Sequence, residues 1–211
     1  MNAGAIDHGM GGVGEHAPRG FLVVGYGNRL RGDDGVGPAV AEAVAALRLP
    51  GVQVDVRHQL TPEVAVEVAA VDTVVFVDAR RIEPQENKMT PESDSARHPL
   101  WVRCLPRRGL GRHTRASWTG HRSSPEPLVT LAEELRGWSP ESWEVGIPVA
   151  EFGWGDHLSP EARREVPVAV ETIVNLWRAW YARQSHEGAP HLSFVFPVPA
   201  AAPAQEAAPR A

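Results

Sequence analysis

Short apolar runs alternate with helix-period stretches along the middle of this chain. Phe21-Leu22-Val23-Val24 is uniformly apolar, which predicts a strand covered on both faces. A Gly-rich turn follows, and Val36, Val40, Val44 and Leu47 then share one face of a helix. Val52 to Arg57 alternates and predicts a second strand. Thr61-Pro62-Glu63 opens a second helix, with Thr61 as N-cap and Pro62 at the first helical position. Thr73 to Val77 is apolar and β-branched, a third strand ending at Asp78. The polar, Pro-containing stretch 80–99 predicts a long loop, Leu100 to Leu105 a fourth strand, and the basic segment up to Thr119 another loop. Ser123-Ser124-Pro125-Glu126 starts a helix carrying Leu128, Leu131, Ala132 and Leu135, which stops near Gly137. Trp143 to Val149 is a fifth strand. Ser159-Pro160-Glu161 opens the last helical region, and Pro167 is expected to break it by removing a hydrogen bond. The main C-terminal helix then runs to about Arg183, with Trp177, Trp180 and Tyr181 as packing groups.

Strand–helix alternation of this kind predicts an α/β sandwich with a largely parallel, five-stranded central sheet. In such sheets, sites gather beyond the carboxyl ends of the strands. That rule singles out the turn after Val24, Asp78, and the loop before the Ser123 helix. Residues 1–19 are Gly-rich without hydrophobic period and read as a flexible leader; 20–187 read as a single domain. The Pro- and Ala-rich tail 188–211 is expected to be disordered, with Leu192 to Phe196 its one apolar piece.

Composition then excludes several classes. With 43% hydrophobic and 22% charged residues in 211, the chain is ordinary globular protein. A net charge of -5 leaves no basic excess for nucleic acid. Cys104 is the only cysteine, which excludes an internal disulfide and a Cys-rich metal site. No apolar run approaches a membrane span, and the N-terminus has neither a basic n-region nor an apolar h-region. The expectation is a cytoplasmic monomer with no membrane and no nucleic-acid partner.

The glycine-lined turn Gly25-Tyr26-Gly27-Asn28 begins like a dinucleotide loop, but Leu30 stands where the third glycine belongs. The second strand ends in Arg57-His58, not in an acid for a ribose. What remains is a turn ending in two carboxylates at a helix start. Asp33 reads as the N-cap, a role Asn fills as well. Asp34 is then either a first-turn acid favoured by the helix dipole or an acid free to point into the crevice. Asp78, after five apolar residues, either caps a loop or serves a site. His121, just before the Ser123 helix, reads equally as a loop histidine held by a carbonyl. Two carboxylates and an imidazole converging in a crevice would make an open oxygen/nitrogen site for a divalent transition ion. The same set could work as general acid and base. The arginines Arg97, Arg103, Arg107, Arg108, Arg112 and Arg115 read as a solvated loop.

The run Val24-Gly25-Tyr26-Gly27-Asn28, with Leu30 and then Asp33-Asp34-Gly35-Val36-Gly37, resembles the N-terminal motif of the hydrogenase maturation proteases. The resemblance continues through Val75-Phe76-Val77-Asp78-Ala79, Gly120-His121 with Ser123-Ser124-Pro125, Val145-Gly146-Ile147-Pro148, and Gly155-Asp156-His157-Leu158-Ser159-Pro160. It spans about residues 20–183. It implies a three-layer α/β/α sandwich and an endopeptidase that removes the C-terminal extension of a nickel–iron hydrogenase large-subunit precursor after nickel insertion. It implies Asp34, Asp78 and His121 as the nickel-sensing trio, with Asp34 and Asp78 catalytic and Gly25, Gly27 and Asn28 at the substrate; the metal could polarise the scissile carbonyl or activate a water, or Asp34 and Asp78 could handle the water as a carboxylate pair. The nickel would arrive with the substrate, leaving no tightly bound cofactor on the isolated protein. Departures from the family pattern are the loop His58-Gln59-Leu60-Thr61-Pro62-Glu63 after the second strand and Arg122 after the key histidine. Two other readings share features of this sequence. A nickel-dependent chaperone would use the same trio without cutting. Peptidyl-tRNA hydrolases share a G-x-G-N turn but follow it with Pro-Gly, where this chain has Arg29-Leu30.

Overall fold

Five strands form one sheet. The computed structural model describes residues 20–82, 100–106 and 124–185. The leader, the tail and His121 lie outside the described residues, as does most of the stretch between β3 and α3. The strands are β1 (Phe21–Tyr26), β2 (Val52–Arg57), β3 (Thr73–Arg81), β4 (Trp101–Cys104) and β5 (Glu141–Val149). The helices are α1 (Val36–Ala46), α2 (Val64–Val68), α3 (Glu126–Arg136) and α4 (Pro160–Ser185). β1, β2, β3 and β5 run parallel, and β4 adds antiparallel to β5.

Strand alternation sorts the core into two layers. Phe21, Val23, Val75, Val77, Val145 and Ile147 face α1 and α4. Leu22, Val24, Val74, Phe76, Leu128 and Ala132 form the opposite core with α2 and α3. The central strands are apolar at both phases because both faces are covered. The parity continues past the core, so Tyr26 and Asp78 turn to the α2/α3 side. Among the described residues no helix is long and apolar enough to cross a membrane.

Several local expectations change. Pro167 does not break the last helix, which is continuous over 26 residues. Its apolar stripe passes straight across the proline: Ala162 before it, then Ala169, Ile173, Trp177 and Trp180 all pack in one cluster. Pro167 itself is exposed, so the carbonyl it leaves without a donor faces water. Second, α2 begins at Val64 without a side-chain cap; Thr61, Pro62 and Glu63 lead into it through carbonyls accepting from Val64, Ala65 and Val66. Leu47 lies just beyond α1 and is exposed, and Leu49 enters the core instead. Third, β3 does not end at Asp78. β5 pairs with it as far as Arg81↔Val149, although β1 stops at Gly25↔Val77.

Asp33 is the largest departure. It is 1% exposed within a single 3-10 turn, Gly32–Gly35, and α1 starts after Gly35 with no side-chain cap. Its carboxylate accepts from Ser159 N–H (2.7 Å), Ser159 Oγ (2.9 Å) and Glu151 N–H (3.3 Å). Ser159 Oγ in turn accepts from Ala162 N–H at 3.1 Å, which caps α4. Asp33 therefore ties the β1–α1 loop to the entry of α4. Asn is a poor substitute here, because its amide would face buried donors. We expect Asp33→Asn to cost about 1–3 kcal/mol. Urea unfolding measures this, and an unchanged midpoint would show that the clasp contributes nothing.

Candidate active site

The chain reverses direction across the sheet between β1 and β3: β2 lies on one side of β1, and β3 with β5 on the other. A crevice opens at such a switch point, beyond the carboxyl ends of the strands. Here it is a cleft of about 720 Å³. Asp34 enters from the loop after β1 and Asp78 from β3, with Glu144 of β5 beyond them.

The β1–α1 loop is shaped to aim Asp34. Gly27 has φ of +141°, and an ideal Cβ there would meet Asp34 O at 1.9 Å. Only glycine lets the loop close this tightly. Asn28 Oδ1 accepts from Leu30 N–H (2.9 Å), and Asn28 N–H donates to Asp34 Oδ2 (3.0 Å). Gly27 and Asn28 both line the cleft. Gly25, expected at the substrate, does not. It is buried in β1, where a Cβ would lie 2.4 Å from Gly37 O and 2.5 Å from Ala41 Cβ. Its smallness seats α1 on the sheet.

Asp78 is partly buried. One oxygen accepts from Ala79 N–H at 2.8 Å, and the Tyr26 hydroxyl also hydrogen-bonds the carboxylate. Its pKa is pushed up to about 7. Burial is the main cause; Asp34 and Glu144 add repulsion, while the Ala79 and Tyr26 bonds oppose the rise. Tyr26 is itself raised well above the ordinary phenol value, chiefly by burial and then by the negative charge of Asp78. It stays a donor. Burial also raises Glu144, against the pull of Arg103, whose Nε donates to Glu144 at 2.9 Å. Arg103 also pairs with Glu126 at the start of α3. It is thus a tie between β4, β5 and α3, not part of a solvated loop.

Asp34 and Asp78 therefore share one cleft. His121 falls outside the described residues, but Ser124, three positions after it, lines the same cleft. Among the described residues no three His, Cys, Asp or Glu side chains form a metal cluster.

The chain matches no family model and no curated protein. Solved structures do match. The hydrogenase 2 maturation peptidase from a Thaumarchaeota archaeon is 26% identical, with 75% of this chain and 97% of that one covered at a TM-score of 0.51. The chain has the fold of the hydrogenase maturation proteases. The [NiFe] hydrogenase maturation protease HycI from Thermococcus kodakarensis KOD1 is 21% identical (76% and 93% covered, TM-score 0.52). The maturating endopeptidase HybD from E. coli is 20% identical over the same shares, with a TM-score of 0.54.

On this maturation-protease fold, the sequence reading missed Tyr26 and Glu144. An aromatic at a strand end reads as core, and Tyr26 is indeed 3% exposed. The signal was parity: Leu22, Val24 and Tyr26 share a face with Val74, Phe76 and Asp78.

The raised Asp78 pKa has a consequence for stability. A carboxyl whose pKa is higher folded than unfolded favours the folded state below its unfolded pKa, and that contribution is lost as pH rises through the folded value. The window is about pH 4 to 7. For the metal-free chain, the unfolding free energy of wild type minus that of Asp78→Asn should fall across this window and level off above it. Urea titrations at stepped pH measure the difference. A flat difference would show that Asp78 ionises freely in the folded protein.

Proposed function

We propose that this chain is a hydrogenase maturation endopeptidase, which removes the C-terminal extension from the nickel-loaded large-subunit precursor of a nickel–iron hydrogenase. The observation that carries this reading is the meeting of Asp34 and Asp78 in one cleft at the switch point of the sheet. The likeness to maturation peptidases in fold supports it.

In this reading Asp34, Asp78 and His121 are an incomplete ligand set, and nickel carried on the precursor completes it. The metal draws the substrate's chain into the crevice beside the carboxylates. Asp34 keeps one oxygen anchored on Asn28 N–H and presents the other; Tyr26 and Ala79 hold Asp78 in place. A water between the carboxylates and the scissile carbonyl is then positioned for attack, with the carboxylates as proton acceptor and donor.

The test is to incubate the full chain with nickel-loaded precursor and weigh the product. Loss of the mass of the C-terminal extension supports the reading. A stable complex with uncut precursor would replace it with a nickel-dependent chaperone.

A further inference from the structure

β3 outruns its neighbour at the cleft. β1 accompanies it only to Gly25↔Val77, whereas β5 follows it to Arg81↔Val149. The parallel ladder fixes where each backbone group points. Ile82 N–H donates to Val149 O (3.0 Å), and Glu141 N–H to Asp72 O (2.8 Å). Even-numbered residues of β3 thus bond β5, and odd-numbered ones turn toward β1; at the strand's entry Gly20 O accepts from both Thr73 N–H (3.4 Å) and Asp72 N–H (3.0 Å), the latter just before β3. Beyond Val77, β1 has left. The N–H and C=O of Ala79 and Arg81 therefore face the cleft. Asp78 takes the Ala79 N–H. The Ala79 carbonyl and both Arg81 backbone groups have no partner on this side among the described residues. An open strand edge is a template for another strand.

Three arginines stand around this edge, in a cleft that also holds Asp34, Asp78 and Glu144. Arg80 lies over Trp101, 5.0 Å from its ring centroid, and Arg81 over Phe152 at 4.2 Å. Strand alternation puts these two arginines on opposite lips of the edge. Arg31 lines the cleft from the β1–α1 loop. Among the described residues none of the three makes an ion pair. The carboxylates of the cleft are already engaged: Asp34 by Asn28, Asp78 by Ala79, Glu144 by Arg103.

We propose that the open edge of β3 at Ala79–Arg81 receives the substrate's peptide as an added strand, and that Arg31, Arg80 and Arg81 select acidic side chains on it. This rests on the endopeptidase reading and names the class of sequence that it acts on. Alternate residues of the added strand point to the Arg80–Trp101 lip and to the Arg81–Phe152 lip. At roughly 3.3 Å per residue, the selected positions fall within about three residues of the bond held beside Asp78.

The test needs neither nickel nor cleavage. Fluorescein-labelled octapeptides with Glu at alternate positions, and their Gln counterparts, are titrated into the full metal-free chain by fluorescence anisotropy. The Glu peptide should bind on the order of tenfold tighter or more. The double variant R80Q/R81Q should remove that advantage and leave the Gln peptide unaffected. Pairing Arg81→Glu with a Lys peptide should restore binding, which a merely damaged fold would not allow. Methylating backbone amides of one parity should abolish binding, and those of the other parity should spare it. Equal binding of Glu and Gln peptides overturns the charge selection. Equal effects of the two methylation parities, or no binding at millimolar peptide, overturn the edge. If the edge fails while loaded precursor is still processed, only this proposal falls. Capture as described alongside uncut precursor supports the edge and removes the endopeptidase reading.

Discussion

Asp78→Asn and Asp34→Asn should each stop processing of nickel-loaded precursor, by a thousandfold or on that order, while the protein stays folded. Both residues enter the cleft from its walls, not from either core layer. Asn at 78 keeps an oxygen for the Tyr26 hydroxyl and the Ala79 N–H, and it removes a charge that burial disfavours. Asn at 34 keeps an oxygen for Asn28 N–H. Asp34→Asn should therefore move stability by no more than about 1 kcal/mol, and Asp78→Asn should not be less stable than wild type at neutral pH, where the buried charge of Asp78 is most disfavoured. Asp33→Asn is the contrasting neighbour: its loss is felt in the clasp to Ser159, so it should unfold more easily yet still process wherever it is folded. Mass analysis of the precursor after single-turnover incubation, beside urea melts of all three variants, measures both sides. If Asp78→Asn processes at the wild-type rate, Asp78 is structural and the endopeptidase reading loses its central residue.

Uniformly apolar runs located β1 and the middle of β3, because a strand buried on both faces has no polar phase. The same runs misplaced the end of β3. Apolar character reports burial, while strand length is set by pairing, and Ala79, Arg80 and Arg81 are paired with β5 in the open cleft. Pro167 was over-weighted for a related reason. Its local cost is real, but the stripe from Ala162 through Ala169 to Trp180 keeps the helix whole. The adjacent acids Asp33 and Asp34 could be told apart only by a partner 126 positions away, Ser159, which no local rule supplies. Asp78 is legible as an acid after an apolar strand and Asp34 as an acid at a helix start; Tyr26 and Arg80 become meaningful only once the register is known.

The proposed nickel dependence predicts the largest contrast. A protease acting on a metal-bearing protein must tell loaded precursor from empty, and the peptide is the same in both. A pocket that reads side chains cannot make that distinction, and neither can the arginine-lined edge of β3. A ligand set of two carboxylates and one imidazole can, because it gains metal–ligand bonds only when the substrate brings the ion. Without a thiolate, such a set should hold free nickel weakly and leave the isolated protein empty at modest metal concentration. We therefore expect metal-free enzyme to cut loaded precursor and to leave apo precursor uncut, with a rate ratio of at least about a hundredfold, equivalent to some 3 kcal/mol of transition-state stabilisation unavailable to the apo form. Raising the enzyme concentration should not rescue the apo reaction, because what it lacks is a ligand bond and not an encounter. Equal cleavage of the two precursors, scored by mass, would leave a carboxylate protease that reads only the peptide, and His121 would then have no part in recognition.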